Sequence, residues 1–230
     1  MSSGQLMWVG AWKTVATLFG GLLAGLLLGN LVFSVLPGFS VTNPKVQNAV
    51  IAAIPTIIVF AVGSAAWGRS MGRLTGVDEP RRMAWAGILG FAPITIVMGF
   101  LLFRLEPVAL ERFGERLPIH RVFTLLFVPT AFIIASVSAW AIGIGLRDKA
   151  LSRALAWRVG LTSAAAFLAV NLAMEAAGWV VGAPGAAERA TMVTVMSLGN
   201  LVAALSGGAV LGLRLGRLGA AGTTASAHRG

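Results

Sequence analysis

The sequence predicts an all-α protein: a polytopic bundle of six transmembrane helices. Three observations carry that prediction. Of 230 residues, 57% are hydrophobic and only 11% charged, whereas soluble domains carry about a quarter charged residues. The mean hydropathy is +0.85, more apolar surface than a soluble chain of this size can hide. Finally, six apolar stretches are each long enough to cross about 30 Å of hydrocarbon at 1.5 Å per residue.

Those stretches are Thr14–Leu36, Gln47–Gly68, Met83–Phe103, Val122–Leu146, Leu155–Gly182 and Ala190–Leu213. Residues 1–13 form a short N-terminal segment, 14–218 one membrane domain, and 219–230 a Gly/Ala/Ser/Thr tail expected to be unstructured. The first stretch is too long and uninterrupted for a cleavable signal, so it reads as a retained helix. Between the third and fourth stretches, Glu106–Leu117 places Leu110, Phe113 and Leu117 on one helical face. This segment reads either as a short amphipathic helix on the outer surface or as a solvated loop.

Orientation follows from the basic residues. Lys13, the loop of Arg69, Arg73, Arg81 and Arg82, the loop of Arg147, Lys149, Arg153 and Arg158, and the tail of Arg214, Arg217 and Arg229 share one side. Lys45, the group Arg104, Arg112, Arg116 and Arg121, and Arg189 share the other. Twelve bases against six place both termini in the cytoplasm of a cell-membrane protein. Trp8, Trp12, Trp67, Trp85, Trp140 and Trp157 then fall at the inner headgroup level and Trp179 at the outer, an aromatic belt. The formal charge of +10 is explained by topology and anionic lipid, with no basic groove for nucleic acid.

The chain also reads as one helical hairpin written three times, over about 14–68, 83–146 and 155–213. Pro55-Thr56 recurs at Pro129-Thr130, Ala84-Trp85 at Ala156-Trp157, and Ser64, Gly68 and Gly72 correspond to Gly208, Gly212 and Gly216. Each unit goes out and back, so the repeats share one orientation and favour a pseudo-threefold bundle. Chance matching in a hydrophobic chain is the competing account.

Within the spans, glycines Gly21, Gly25 and Gly29 of the first and Gly208, Gly212 and Gly216 of the sixth recur every four positions. Lipid tails are as apolar as Leu, so helices associate by close packing, which small residues permit. The stripes serve packing within the chain, or a homo-oligomer or partner-subunit interface. Pro55, Pro93 and Pro129 lie inside spans and predict kinks, with Thr56, Thr95 and Thr130 near enough to satisfy the freed carbonyls.

The polar residues at membrane depth are Asn30, Asn171, Asn200 and Glu175. Such groups are costly in hydrocarbon and call for partners. For Asn171 and Asn200 a mutual hydrogen bond is the simplest pairing. Glu175 lies one turn beyond Asn171 on the same face. It binds a proton or cation if it sits in hydrocarbon, and is an ordinary surface carboxylate if the span is shifted by two turns; the second is the simpler reading.

Several chemistries lack their residues. There is no cysteine, and the histidines are His120, at an outer helix end, and His228, in the tail. Haem ligation, a converging metal cluster and a Ser/His/Asp set therefore have nothing to build on. Glu106, Glu111, Glu115 and His120 read better as a solvated helix than as a cation site. No enzyme, cofactor or metal is expected. A transporter or permease-like subunit for a small solute or ion is the leading expectation, with a separate ATPase docking on the loops Arg69–Arg82 and Arg147–Arg158 if it is an ATP-driven system. The alternative is a structural or accessory subunit of a larger membrane complex.

Overall fold

Long apolar runs broken only by short polar turns leave the backbone little choice but helix, because each main-chain amide must find its partner within the segment. The computed structural model describes residues 2–35, 44–77, 79–179 and 186–227; the side chains of 18–19, 21–26, 28–35, 44–56, 186–191, 193 and 221–227 fall outside that description. Six helices result: α1 (Ser3–Val35), α2 (Pro44–Leu74), α3 (Pro80–Phe113), α4 (Ile119–Gly145), α5 (Lys149–Ala176) and α6 (Ala186–Ala227). Among the described residues there is no β-strand. Among the described residues, four segments are long and apolar enough to cross a membrane: Pro80–Phe113, Ile119–Gly145, Lys149–Ala176 and Thr194–Ala220.

Two helices run further than their composition predicts. α3 continues unbroken through Pro107 to Phe113, so the amphipathic segment up to Phe113 is the end of a long apolar helix, not a separate surface element. A proline costs a helix one donor and a steric clash, but extension from an existing helix needs no new nucleus. For the same reason α6 continues to Ala227: Ala-rich sequence propagates a helix already formed.

The turns are tight and differ in chemistry. Gly76 follows α2 with φ 71° and Gly178 follows α5 with φ 74°, the left-handed conformation that closes a helix at low cost with glycine. After α4 the equivalent position is Arg147, with φ 62°. Its N–H donates to Ile144 O at 2.9 Å, and Asp148 N–H donates to Gly143 O at 3.2 Å. Asp148 then caps α5, its Oδ1 accepting from Leu151 N–H at 2.8 Å. One three-residue turn therefore ends α4 and starts α5.

Each helix packs on its neighbours in sequence, and α1 packs on α6 to close the ring. Every junction is antiparallel. Leu6, Gly10 and Thr14 meet Gly216, Gly212 and Gly208 in reverse order, and Gly68 and Gly72 meet Gly87 and Met83 likewise. Several of these crossings are at backbone contact. A side-chain carbon at Gly10 would lie 2.2 Å from Gly208 O, one at Gly68 2.1 Å from Met83 O, and one at Gly143 2.4 Å from Ser152 Cα. The largest buried core gathers at the same end of the ring. Trp67, Met71, Met83, Ile142, Leu155 and Leu215 are among its members. There the C-terminal parts of α2, α4 and α6 converge with the N-terminal parts of α3 and α5. α2, α4 and α6 also touch one another, more sparingly.

Candidate functional site

Above that core the helices part around a cavity of about 390 Å³ lined from all six of them, within the usual size range of small-molecule sites. Trp67 and Leu211 lie at its floor and also belong to the closed core. Further along, Phe60, Phe91, Phe127 and Ile134 supply apolar wall. The rings form a connected set: Phe60 and Trp67 lie 6.2 and 6.1 Å from Phe91, centroid to centroid. On the opposite wall Phe127 stacks on the fully buried Phe167 at 6.0 Å. Polar lining comes from Thr14, Thr95, Thr130, Ser138, Ser163, Ser197 and Asn200.

Trp67, expected in the headgroup belt, is instead 5% exposed, with its Nε1–H donating to Thr14 Oγ1 at 3.1 Å. It faces the ring interior because α2 turns that face to α1 and α3. A tryptophan there needs a hydrogen-bond acceptor, and α1 supplies one. The other six tryptophans are between 48% and 66% exposed. Trp8 and Trp12 stack on each other at 6.5 Å, while Phe132 meets the ring of Trp157 edge-on at 5.5 Å.

The hydroxyls beside the intrahelical prolines behave differently from expectation. Thr95 donates to Phe91 O and Thr130 to Leu126 O, each at 2.8 Å. A proline at 93 or 129 frees the carbonyl four residues earlier, at 89 or 125. The threonines therefore bond their own i−4 carbonyls, which are already helix acceptors, and leave the freed ones alone.

The polar residues singled out from sequence do not converge on one site. Asn171 is buried; its Nδ2 donates to Phe167 O at 2.9 Å and its Oδ1 accepts from Thr124 Oγ1 at 3.3 Å. The mutual Asn171–Asn200 bond is therefore not formed. The reason is rotational: Asn171 turns toward α4 and packs against Gly199, while Asn200, the next residue on α6, points into the cavity. Glu175 is neither alone in hydrocarbon nor a free surface carboxylate. Arg121 donates to its Oε1 from Nε at 3.0 Å and from Nη2 at 2.5 Å, and His120 Nε2 lies 3.4 Å from its Oε2. That two-pronged pair ties the start of α4 to the end of α5. Asn30, Gly21, Gly25 and Gly29 lie outside the residues whose side chains are described.

Gly208, Gly212 and Gly216 face α1 within the same chain, against Thr14, Gly10 and Leu6. Gly10, the other half of that contact, carried no sequence signal of its own because the stripe in the first span begins at Gly21. At the same end of the ring, Arg82 pairs with Glu79 and donates to the α4 carbonyl of Gly145, placing a cation where the helix dipole is negative. Lys13 is held below its ordinary pKa, first by burial and then by the charge of Arg73. Among the described residues no group of three His, Asp or Glu side chains is placed to hold a metal ion.

The cavity walls were largely invisible to sequence reading. Single Ser and Thr residues in apolar helices are common and carry no spacing rule. The faint clue was recurrence, since Ser138 follows Ser64 by the same interval that separates the two Pro-Thr pairs. Compared with known proteins, the chain matches no family model, no curated protein and no solved structure.

Proposed function

We propose that the chain is a six-span membrane carrier, with both termini cytoplasmic, that binds a small solute in the cavity at the centre of its helix ring. The observation that carries this reading is the cavity itself, lined from all six helices and floored by a tightly packed core at one end. A site within a helical bundle, mostly apolar with a few placed polar groups, is the usual form of a small-molecule site. The antiparallel ring supports six crossings, and the twelve-to-six division of basic residues supports the sidedness. The mutual contacts of α2, α4 and α6 are what three repeated hairpins around a pseudo-threefold axis require.

The accessory-subunit reading draws less support. Gly208, Gly212 and Gly216 are occupied by α1 and are not free to seat another subunit. A docking ATPase would find little to grip at the Leu146–Asp148 turn, and the carrier reading does not require one.

The test begins with the protein purified in mild detergent and extracted for bound small molecules by mass spectrometry. Any recovered solute is then offered in counterflow to proteoliposomes. The wild-type chain is expected to exchange it, and Ala204→Trp, which fills the cavity, to lose exchange while keeping its elution volume. A chain that carries no solute and co-purifies at fixed stoichiometry with another membrane protein belongs to the accessory class instead.

A further inference from the structure

Five of the cavity's hydroxyls, those of Thr14, Thr95, Thr130, Ser138 and Ser163, have their hydrogens already committed. Thr95 and Thr130 donate to carbonyls of their own helices at 2.8 Å. Ser138 donates to Ile134 O at 2.7 Å and approaches Gly90 O at 3.2 Å, while Ser163 donates to Ala203 O at 3.2 Å. Thr14 donates to Gly10 O at 2.9 Å and accepts from Trp67. A hydroxyl has one hydrogen and two lone pairs, so what these residues can offer an occupant is lone pairs. Asn200 and Ser197, one turn apart on α6, make no side-chain hydrogen bond among the described residues, and both line the cavity. Among the described residues, no Asp, Glu, Lys, Arg or His lines it.

We infer that the cavity selects an uncharged molecule with an apolar body and at least one O–H or N–H donor, an alcohol in the simplest case, over acceptor-only or ionised molecules of the same skeleton. This rests on the carrier reading and narrows its substrate class. An ionised occupant would leave water for a site with no counter-charge, which is prohibitive without a partner. A ketone or ether brings lone pairs to a wall of lone pairs and, among the described residues, can be met only by Asn200 or Ser197. An alcohol can donate to the wall and still accept from Asn200. One neutral hydrogen bond corresponds to roughly two- to tenfold in affinity.

The chain has no cysteine, so Ala204→Cys puts a single thiol in the 230-residue chain, on the cavity wall. Its modification by methyl methanethiosulfonate in detergent is followed with menthol, menthone or protonated menthylamine present. Leu161→Cys, at an exposed lipid-facing position, reports any effect of these probes on the micelle. Menthol is expected to slow labelling of the cavity thiol at a concentration about two- to tenfold below that needed for menthone. Menthylamine is expected to act more weakly still, and labelling of the lipid-facing thiol to stay unchanged. In an Asn200→Leu background protection by both menthol and menthone should weaken while the margin between them persists or widens, because the donation to the hydroxyl wall that separates them does not involve Asn200. Equal protection by menthol and menthone, or strongest protection by menthylamine, overturns the substrate class while leaving a binding cavity in place. Absence of protection by every probe, or equal slowing at both thiols, removes the cavity-binding reading and this inference with it.

Discussion

The contact between α1 and α6 closes the ring, and Gly10→Ala tests it with a single added carbon. That carbon would lie 2.2 Å from Gly208 O, 2.6 Å from Gly212 Cα and 2.8 Å from Gly212 N. All three neighbours are backbone, so no side chain can swing aside. Restoring an ordinary contact of 3.4 Å to the oxygen requires the helices to part by about 1.2 Å, which also loosens Leu6 against Gly216 and Thr14 against Gly208. Overpacking of this kind costs about 1–3 kcal/mol, and for a chain of this length roughly 2–4 °C of Tm accompanies each kcal/mol. Gly10→Ala should therefore lower the melting temperature in detergent by about 2–12 °C. Gly20→Ala is the internal control: among the described residues its added carbon meets nothing within 4 Å, and alanine is the better helix former. It should melt at or above the wild-type temperature. The readout is the monodisperse fraction by size exclusion after a temperature series. If Gly10→Ala melts with Gly20→Ala, the two helices do not cross at backbone contact and the closed ring is wrong.

Three further outcomes follow from particular contacts. Arg147→Gly relieves a left-handed backbone that costs about 1–2 kcal/mol in a residue with a side chain and should raise Tm, whereas Asp148→Ala removes a cap worth about 0.5–2 kcal/mol and should lower it; thermal melts of both variants distinguish the two ends of the turn. Glu175→Gln and Arg121→Gln each break the same ion pair, so the double variant should melt no lower than the worse single one; additive losses would mean that the two residues act separately. Lys13, with its pKa lowered, carries more free amine at any pH below its ordinary value than an unperturbed lysine. Its acylation, followed by peptide mass spectrometry between about pH 8 and 10, should slow in Arg73→Gln but only in part, because burial is the larger cause.

What sequence could say about this fold was set by what lipid does and does not select. Apolar length fixes where helices lie, because unsatisfied amides are intolerable in hydrocarbon, and a helix lies over each of the six predicted stretches. It does not fix where they stop. α3 passes Pro107 and α6 passes Gly219 because the cost of an awkward residue falls on an already nucleated helix. Nor does it fix rotation about the helix axis. Hydrophobic patterning is weak when the outside is as apolar as the inside, so it could indicate neither that Trp67 turns inward, nor that Asn171 meets Thr124, nor that Glu175 meets Arg121. The ion pair was the hardest to foresee, since its members stand 54 positions apart.

The same argument explains why a cavity exists at all. Without a hydrophobic force drawing helices together, association within lipid depends on van der Waals contact and a few hydrogen bonds. Close contact needs small residues on both sides, and such meetings of Gly10 with Gly212, Gly68 with Gly87, and Gly143 with Ser152 cluster at the end of the ring where the core is closed. Beyond them the facing residues are Phe60, Phe91, Phe127, Ile134 and the hydroxyls whose hydrogens are bound to backbone. Rings hold backbones apart, and committed hydroxyls cannot bridge the gap by donating across it. Packing is therefore sealed at one end and withheld at the centre. Filling that space with apolar side chains, as Ala204→Trp does, should leave the sealed end intact and abolish whatever the cavity binds.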